Sequence, residues 1–117
     1  MSFSPAVSDK AAKAMRQTMR RRWRVARRTD LSLTDLAHMF NPTMRSWISY
    51  YGRFYRSALT PVFRPLNYAL VRWAMRKYKK RLRAHQWRTW QWLEEVARRD
   101  PTLFAHWELL GMGRAGR

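Results

Sequence analysis

The sequence predicts an all-α protein, and three observations support this class. Helix-start signals recur along the chain, apolar residues repeat at helical spacing, and neither strand-like alternation nor a hairpin signal competes with them. At 117 residues, 46% of them hydrophobic, the chain is long enough to bury one core. We therefore expect a compact bundle of about five helices in a single domain over residues 8–110. We expect the ends, which carry Ser, Pro and Gly, to fray over 1–7 and to be disordered over 111–117.

Four short motifs place capping residues where helices should begin. Ser32-Leu-Thr-Asp35 matches a capping box, in which the Ser32 hydroxyl accepts from the Asp35 amide while the Asp35 carboxylate accepts from the Ser32 amide. Three further motifs place a capping side chain before a proline at the first helical position. These are Asn41-Pro42, Thr60-Pro61 and Asp100-Pro101. The predicted helices are 8–28, 33–40, 42–58, 61–84 and 86–99, with a short helical turn over 101–109.

Two of these helices carry an apolar arc beside a basic arc. On the first helix the apolar arc contains Ala12, Met15, Met19, Trp23 and Ala26, and the basic arc contains Lys10, Lys13, Arg16, Arg20, Arg24, Arg27 and Arg28. On helix 61–84 the core stripe contains Phe63, Leu66, Leu70, Trp73 and Ala74, and the basic face contains Arg72, Arg76, Lys79, Lys80 and Arg83. Lys77 departs from this pattern because it points toward the apolar side.

The charge distribution predicts a folded cationic surface. The chain has 25 Lys and Arg against 7 Asp and Glu, a net charge of +18. Between Leu36 and Leu93 it has twelve cations and no acid, with Trp and Tyr spread among them. Solvated helix faces usually mix the two signs, and a disordered basic tail would lack this apolar content. The pattern favours binding to a polyanion, and to nucleic acid in particular.

An anionic membrane surface is the main competing partner, since basic amphipathic helices that contain Trp also bind membranes. The Trp residues fall on core-facing arcs, which argues against that interpretation. No apolar run approaches the length of a membrane span, and the N-terminus has no apolar targeting segment. The expected location is the cytoplasm, with no membrane partner.

The sequence lacks the residue patterns of an active site or a metal centre. It has no Cys, which excludes disulfides and thiolate zinc sites. His38, His85 and His106 are far apart and are interpreted as isolated structural or surface imidazoles, with the His106 ring nitrogen bonded locally. The adjacent carboxylates Glu94 and Glu95 diverge on a helix, so a two-metal site is not expected. We predict no catalytic residue, no metal, no cofactor and no small-molecule substrate.

The segment 41–54 is the most specific stretch of the chain. Trp47, Tyr51 and Phe54 share one face of the predicted helix, which is typical of core packing. Gly52 inside that helix costs about 1 kcal/mol relative to Ala, and such a glycine usually lets another backbone, a ring or a ligand come close. Tyr50 and Tyr51 either stack on bases or pack in the core with an outward hydroxyl, and the second interpretation is preferred.

Three ordered blocks resemble the maturase-specific domain (domain X, the thumb) of group II intron reverse transcriptases. The family pattern N-P-x-x-R-G-W-x-x-Y-Y-G-x-F matches residues 41–54, its R/K-W-x-x-x-K-Y-K block matches 72–79, and L-F-x-H-W matches 103–107. Phe3–Ala6 and Ser8–Ala11 also fit the usual start of that domain, so the resemblance covers about 3–107. Ser46 departs from the pattern, because the family usually has Gly there.

The resemblance implies a thumb-like helical domain that helps its parent intron RNA fold for splicing and that follows a polymerase domain. The implied partners are structured group II intron RNA and, where the polymerase lies on another chain, a separate reverse-transcriptase polypeptide. This sequence contains neither the Tyr-Ala-Asp-Asp loop of the polymerase nor the Cys and His ligands of the family's nuclease module. The expectation is a non-enzymatic RNA-binding domain of a mobile genetic element.

The predicted contacts follow from the basic faces and from the matched blocks. The RNA-binding candidates are Arg45, Arg53, Arg56, Arg72, Arg76, Lys77, Lys79 and Lys80. The candidates for base stacking or close approach are Tyr50, Tyr51 and Gly52.

Two other function classes remain open at this point. One is a helix-turn-helix DNA-binding module, although the short helix 33–40 lacks Asn, Gln or Arg to read base edges. The other is a non-functional fragment, because Met1 lies just before the start of the domain. The sequence does not separate such a fragment from a stand-alone maturase.

Overall fold

The computed structural model describes residues 8–52, 56–78 and 86–112, and every regular element in those ranges is helical. A π-helical segment (Thr18–Trp23) and two 3-10 turns (Val25–Arg27 and Arg56–Leu59) connect longer helices. The described α-helices are α1 (Asp9–Gln17), α2 (Leu33–Tyr51), α3 (Thr60–Lys77), α4 (Gln86–Arg99) and α5 (Ala105–Leu110). The prediction of an all-α bundle with about five helices is confirmed.

Helix α3 is the central element of the bundle. It packs against α1, both 3-10 turns, α4 and α5. The stripe predicted for it is buried in full, and Trp73 has no accessible surface. The largest buried side chains of the core are Trp73, Trp107, Phe40, Phe63 and Phe104. Because α3 is covered on most of its circumference, its remaining exposed face is bounded by neighbouring elements on both sides.

The first predicted helix, 8–28, is interrupted in the structure. Its α-helical part ends at Gln17, widens into the π-helical segment, and is followed at Arg24 by a left-handed residue with φ 44° and ψ 50°. The Thr18 hydroxyl donates to the carbonyl of Ala14 at 3.1 Å, a bond that competes with the helical ladder and bends helices. Burial follows Met15 and Met19 as predicted but then moves to Val25, where a straight helix would have buried Ala26.

Helix α2 begins at the predicted capping box. The Asp35 amide donates to the Ser32 hydroxyl, and the Ser32 amide donates to the Asp35 carboxylate, each at 3.1 Å. The predicted break between 33–40 and 42–58 is wrong, because α2 continues through Pro42 to Tyr51. Pro42 lies on the exposed side of the helix, where the loss of its hydrogen bond is tolerated most easily.

Asn41 does not cap its own helix; it caps α5. Its buried side chain accepts from the amide of Ala105 at 2.8 Å and donates to the carbonyl of Leu103 at 2.7 Å. Ala105 is the first residue of α5, so this amide would otherwise have no partner within its helix. Asn41 therefore caps a helix, but that helix is α5 and not the one that contains Asn41.

The junction between α2 and α3 leaves little space around Gly52. Gly52 ends α2, and a Cβ on it would lie 2.6 Å from the Ile48 oxygen and 3.2 Å from the Leu59 side chain. The close approach predicted for Gly52 therefore exists, and the chain's own atoms make it. Helix α3 begins at Thr60 with Pro61 in its first turn, as predicted, but Leu59 is its N-cap and no side-chain hydrogen bond caps it.

The C-terminal helix starts four residues later than predicted. Residues 101–104 form turns and a bend, and α5 begins at Ala105. Gly111 ends α5 with φ 73°, a left-handed conformation that favours glycine, and the Met112 amide donates to the carbonyl of Trp107 at 3.0 Å. The predictions for 1–7, 79–85 and 113–117 lie outside the described residues. Within the described ranges, no helix is long and apolar enough to cross a membrane.

Candidate nucleic-acid interface

The exposed face of α3 carries a row of cations and one aromatic ring. Residues four positions apart lie on the same side of a helix, opposite the buried stripe. The row consists of Arg64, Tyr68, Arg72 and Arg76, all of which are exposed. Arg72 and Arg76 are predicted RNA contacts, and both are accessible to a ligand. Arg64 and Tyr68 were not among the predicted contacts, but the structure places them on the same face of α3.

Arg72 of α3 lies beside residues 18–31, which we call the first segment, and the two share a surface pocket of 300 Å³. We call it the arginine pocket. Its cationic walls come from two separate elements of the chain. The lining residues are Met19, Arg20, Arg24, Val25, Ala26, Arg27, Ala69 and Arg72. Four of them are arginines and none is acidic. The sequence placed these cations on two separate helical arcs, and the structure brings the two arcs together.

The backbone of the first segment creates the convergence of these arginines. The left-handed conformation of Arg24 separates the π-helical segment from the following 3-10 turn. Such a conformation costs a non-glycine residue about 1–2 kcal/mol, and π-helical insertions are common at functional sites. The Nε of Arg24 donates to the carbonyl of Arg21 at 3.0 Å, which orients its guanidinium. The strain is held in place by the packing around it.

The end of α3 ties down the loop that follows the arginine pocket. Trp73 Nε1 donates to the carbonyl of Arg28 at 2.7 Å. Lys77 Nζ donates to the carbonyls of Thr29 and Leu31 at 2.8 and 2.9 Å, and it lies 5.5 Å from the centroid of the Trp73 ring. We call these bonds the Lys77 clamp. The direction predicted for Lys77 is confirmed, and its ammonium group is engaged by the protein itself.

Arg45 and Arg56 meet in a second pocket, of 410 Å³, between α2, the 3-10 turn before α3, and α5. The other residues lining it are Ile48, Ser49, Thr102, Phe104, Ala105 and Glu108. Two of the predicted RNA contacts are thus brought together, although in a different pocket from Arg72. The carboxylate of Glu108 makes this second pocket less electropositive than the arginine pocket.

The predicted stacking residues differ in their accessibility. Tyr50 is 75% exposed and lies edge-on to the partly buried Tyr51, with ring centroids 4.8 Å apart. Gly52 is buried, with Ile48 and Leu59 close to the position that a Cβ would take. Ser46 is exposed on α2, so its position in this fold does not require the small size of glycine. Arg53, Lys79 and Lys80 lie outside the described residues.

The surface beside α3 contains further aromatic rings that the sequence prediction did not select. Tyr68 is 48% exposed and packs edge-on against Trp90 of α4, with ring centroids 5.0 Å apart. Trp87 of α4 is 57% exposed, and its ring lies 5.6 Å from the guanidinium of Arg88. The signal for Tyr68 was its four-residue spacing from Arg64 and Arg72, which places it within the basic row.

His106 is a structural residue with a defined tautomer. Its Nε2 lies 2.7 Å from Asn67 Oδ1, and Trp107 Nε1 donates to the same oxygen at 3.0 Å. Because an indole nitrogen only donates, the shared Asn67 atom is an acceptor, and Nε2 of His106 must carry the proton. Burial lowers the pKa of His106 to about 3, so the ring is neutral. The structural role predicted for His106 is confirmed, but the predicted local bond is wrong, because the partner of its ring nitrogen is Asn67 on α3, 39 residues away.

The other ionisable groups do not assemble a metal centre. Within the part of the chain that the structure describes, no group of three or more His, Asp or Glu side chains could hold a metal ion. His38 is exposed on α2, and His85 lies outside the described residues. Hydrogen bonds from Ser32 lower the pKa of Asp35, which keeps this carboxylate ionised in its capping box. Glu95 pairs with Arg98 at 3.0 Å on the surface of α4.

These features define a small, strongly basic all-α domain with an acid-free arginine pocket. The chain belongs to the family described as the group II intron, maturase-specific domain, whose model matches residues 12–101. The matched region contains the 41–54 and 72–79 blocks, and the 103–107 block lies just beyond it. Membership gives the chain a maturase-type, intron-associated function, and the matched domain is a non-catalytic one. Neither a curated protein nor a solved structure matches the chain.

Proposed function

We propose that this chain binds structured group II intron RNA and helps that RNA fold for splicing, with no catalysis of its own. The arginine pocket is the observation that carries the proposal. It brings four arginines from two elements into the lining of one 300 Å³ opening, with no acid in that lining. Family membership supplies the kind of RNA, since the matched domain is specific to group II intron maturases.

The mechanism is neutralisation of crowded phosphates by pre-positioned cations. A large RNA brings phosphates close together when it folds, and their repulsion opposes the compact state. Arginine presents a planar set of donors that matches phosphate oxygens in two-point contacts. The Lys77 clamp holds the first segment against α3 before the RNA arrives, so less ordering is needed on binding. The RNA retains the splicing chemistry.

The proposed contact surface extends beyond the arginine pocket. Arg76 continues the row on α3, and Arg45 with Arg56 forms the second pocket. Arg53, Lys79 and Lys80 remain proposed contacts on the strength of the sequence. Lys77 is assigned a structural role because two of its three N–H donors already bond backbone carbonyls of the protein. A separate reverse-transcriptase polypeptide is a further proposed partner, and the cytoplasm is the proposed location.

The competing DNA-binding proposal loses support from the shape of α2. A helix-turn-helix module needs a short recognition helix that is free to enter a major groove. The segment 33–40 proposed for that role is the first half of a 19-residue helix, with Leu36, Ala37 and Phe40 in the core. The segment 33–40 therefore does not present the geometry of a recognition helix.

A competition experiment tests the proposed function. Labelled intron RNA bound to the chain at physiological salt is challenged with unlabelled duplex DNA and with an unrelated folded RNA. Charge alone gives every polyanion a comparable non-specific affinity, so the preference is the informative quantity. We expect both competitors to displace the intron at least about tenfold less effectively than unlabelled intron does, a margin of about 1.4 kcal/mol.

A matched pair of variants locates the binding surface in the same assay. Arg72→Gln removes one wall of the arginine pocket and should weaken intron binding at least about fivefold, within the range for charged contacts. Arg99→Gln removes an equally exposed arginine of α4 that lies outside both pockets and should change affinity less than twofold. Equal displacement by all three nucleic acids would contradict the proposal.

A further inference from the structure

We propose that the arginine pocket and the ring of Tyr68 together form a site for one unpaired nucleotide of an RNA strand. The phosphate group lies in the pocket, and the base stacks on the tyrosine. This inference rests on the proposed RNA binding and deepens it, because it names the part of a folded RNA that the site selects.

The pocket supplies the phosphate half of the site. Arg20, Arg24 and Arg27 approach from the first segment, and Arg72 approaches from α3. Residues from two elements thus line one opening, and the Lys77 clamp bonds the residues that follow Arg27 to α3. With no acid in the lining, an anionic ligand would relieve the mutual repulsion of these arginines.

Tyr68 supplies the base half of the site. It lies four residues before Arg72 on the same helix face, a spacing that puts the two Cβ atoms about 5–6 Å apart. The residue after it, Ala69, lines the pocket. Trp90 supports the ring from α4 at an interplanar angle of 80°, and 48% of the tyrosine remains exposed. A single exposed tyrosine is unremarkable by itself, but this one is held in place beside four arginines.

The geometry selects unpaired nucleotides because a paired base is already stacked on both faces within its helix. A base in a bulge, a loop or a strand end is free to turn toward an aromatic side chain while its phosphate stays on the cationic surface. Stacking tolerates all four bases, since every base has an aromatic face. The site therefore recognises the local shape of the RNA and not its sequence.

The test compares two RNA duplexes of the same length that differ by one nucleotide. One contains a single bulged 2-aminopurine, and the other contains 2-aminopurine in a fully paired position. Binding to the full chain is measured at 0.15 M salt through affinity and through the fluorescence of the probe. Stacking on an aromatic side chain contributes about 1–3 kcal/mol per base, so we expect at least about fivefold tighter binding of the bulged duplex. Its fluorescence should fall on binding, as expected for a stacked probe.

Substitutions assign this preference to the tyrosine. Tyr68→Leu keeps an apolar side chain against Trp90 but removes the aromatic face, and it should abolish the preference for the bulge. Tyr68→Phe should retain the preference. Arg99→Gln is the control and should leave the preference unchanged, because this exposed arginine of α4 lies outside both pockets. Arg24→Gln should weaken both duplexes alike, and circular dichroism verifies that each variant is folded.

Two outcomes would overturn the inference: equal affinity of the unmodified chain for the two duplexes, or an undiminished preference in folded Tyr68→Leu. If that variant does not fold, the affinity and fluorescence of the unmodified chain still decide. The experiments distinguish failure of this site from failure of the proposed function. A chain that prefers intron RNA over its competitors but ignores the bulge keeps the function and loses this site, and the reverse result loses the function and keeps the site.

Discussion

Asn67 shows how one buried side chain sets the chemistry of its neighbours. Its oxygen accepts from Trp107 and from His106, and the residue is only 4% exposed. The pair of donors fixes the proton on Nε2 of His106 and leaves Nδ1 without a partner among the described residues. A second proton on this ring would be buried as an unpaired charge, which folded proteins avoid at high cost. The stability of the domain should therefore depend on pH.

We predict that acidification below pH 6.5 destabilises the protein through His106. The pKa of the buried ring is about 3, whereas the same ring in the unfolded chain titrates near 6.5. Between these values the unfolded state binds more protons, so the free energy of unfolding falls as pH falls, by up to about 1.4 kcal/mol per pH unit. Above pH 6.5 this contribution is complete. Urea unfolding at a series of pH values measures the slope.

Variants isolate the contribution of His106 to that slope. His106→Gln cannot be protonated and should flatten the curve between pH 6.5 and 4.5. The lowered pKa of Asp35 means that its own stabilising effect is lost only below about pH 4, outside this window. A His106→Gln curve as steep as that of the unmodified chain would contradict the assignment.

At the scale of elements, the segment 18–31 is unusual because it is both irregular and firmly held. It contains a π-helical turn, a left-handed arginine and a 3-10 turn in succession. Three hydrogen bonds from Trp73 and Lys77 attach its last part to α3. The irregular backbone directs the arginines, and the regular helix supplies the rigidity.

We predict that Lys77 and Arg76, although adjacent, have different roles. Lys77→Met leaves two carbonyls without their donor and should lower the free energy of unfolding by about 1–3 kcal/mol. Arg76→Met removes an exposed charge and should change it by no more than about 0.5 kcal/mol. Arg76→Met should also reduce the magnitude of the salt slope of RNA binding by about 1. Urea unfolding and binding titrations across salt concentration check both variants.

The opposite result for Lys77 is equally clear. Suppose that Lys77→Met were as stable as the unmodified chain and reduced the magnitude of the salt slope by about 1. Lys77 would then contact the RNA directly, as its place in the basic block predicts.

Sequence reasoning succeeded where the determining contacts are local. The capping box of Ser32 and Asp35 lies within four residues, and its two bonds form as predicted. Asn41 carries the same kind of capping signal, but its partners lie at 103 and 105, so the predicted helix start was wrong. The arginine pocket could not be predicted because it depends on the left-handed conformation of Arg24, and arginine is not a residue that signals such a turn.

At the scale of the whole molecule, charge is the dominant property. A net charge of +18 on 117 residues makes the compact state repel itself, while the aromatic core holds the cations together. A ligand that binds only the folded form stabilises it in proportion to its affinity and concentration. Folding and polyanion binding should therefore reinforce each other.

We predict a steep salt dependence of RNA binding. Neutralisation of six to ten phosphates corresponds to a slope of roughly −4 to −9 in a plot of log affinity against log salt concentration. Filter binding between 0.05 and 0.2 M salt measures this slope. Replacement of Arg72, Arg76 and Arg24 together by Gln should make this slope shallower by the amount that corresponds to about three phosphate contacts. The helical content should stay the same. A slope near zero for the unmodified chain would remove the electrostatic basis of the proposal.

The long-range hydrogen bonds of Asn41 also determine when the domain can finish folding during its synthesis. Its two partners lie 62 and 64 residues further along the chain, so they leave the ribosome long after α2 does. Until then the amide must remain hydrated, because burying it unpaired costs about 1–3 kcal/mol. The core around Phe40 and Trp107 therefore closes only after residues 103–107 have been synthesised. A nascent chain stopped before residue 103 would leave the Asn41 amide without either partner, and the aromatic residues packed around it would stay open to the RNA and to other nascent chains.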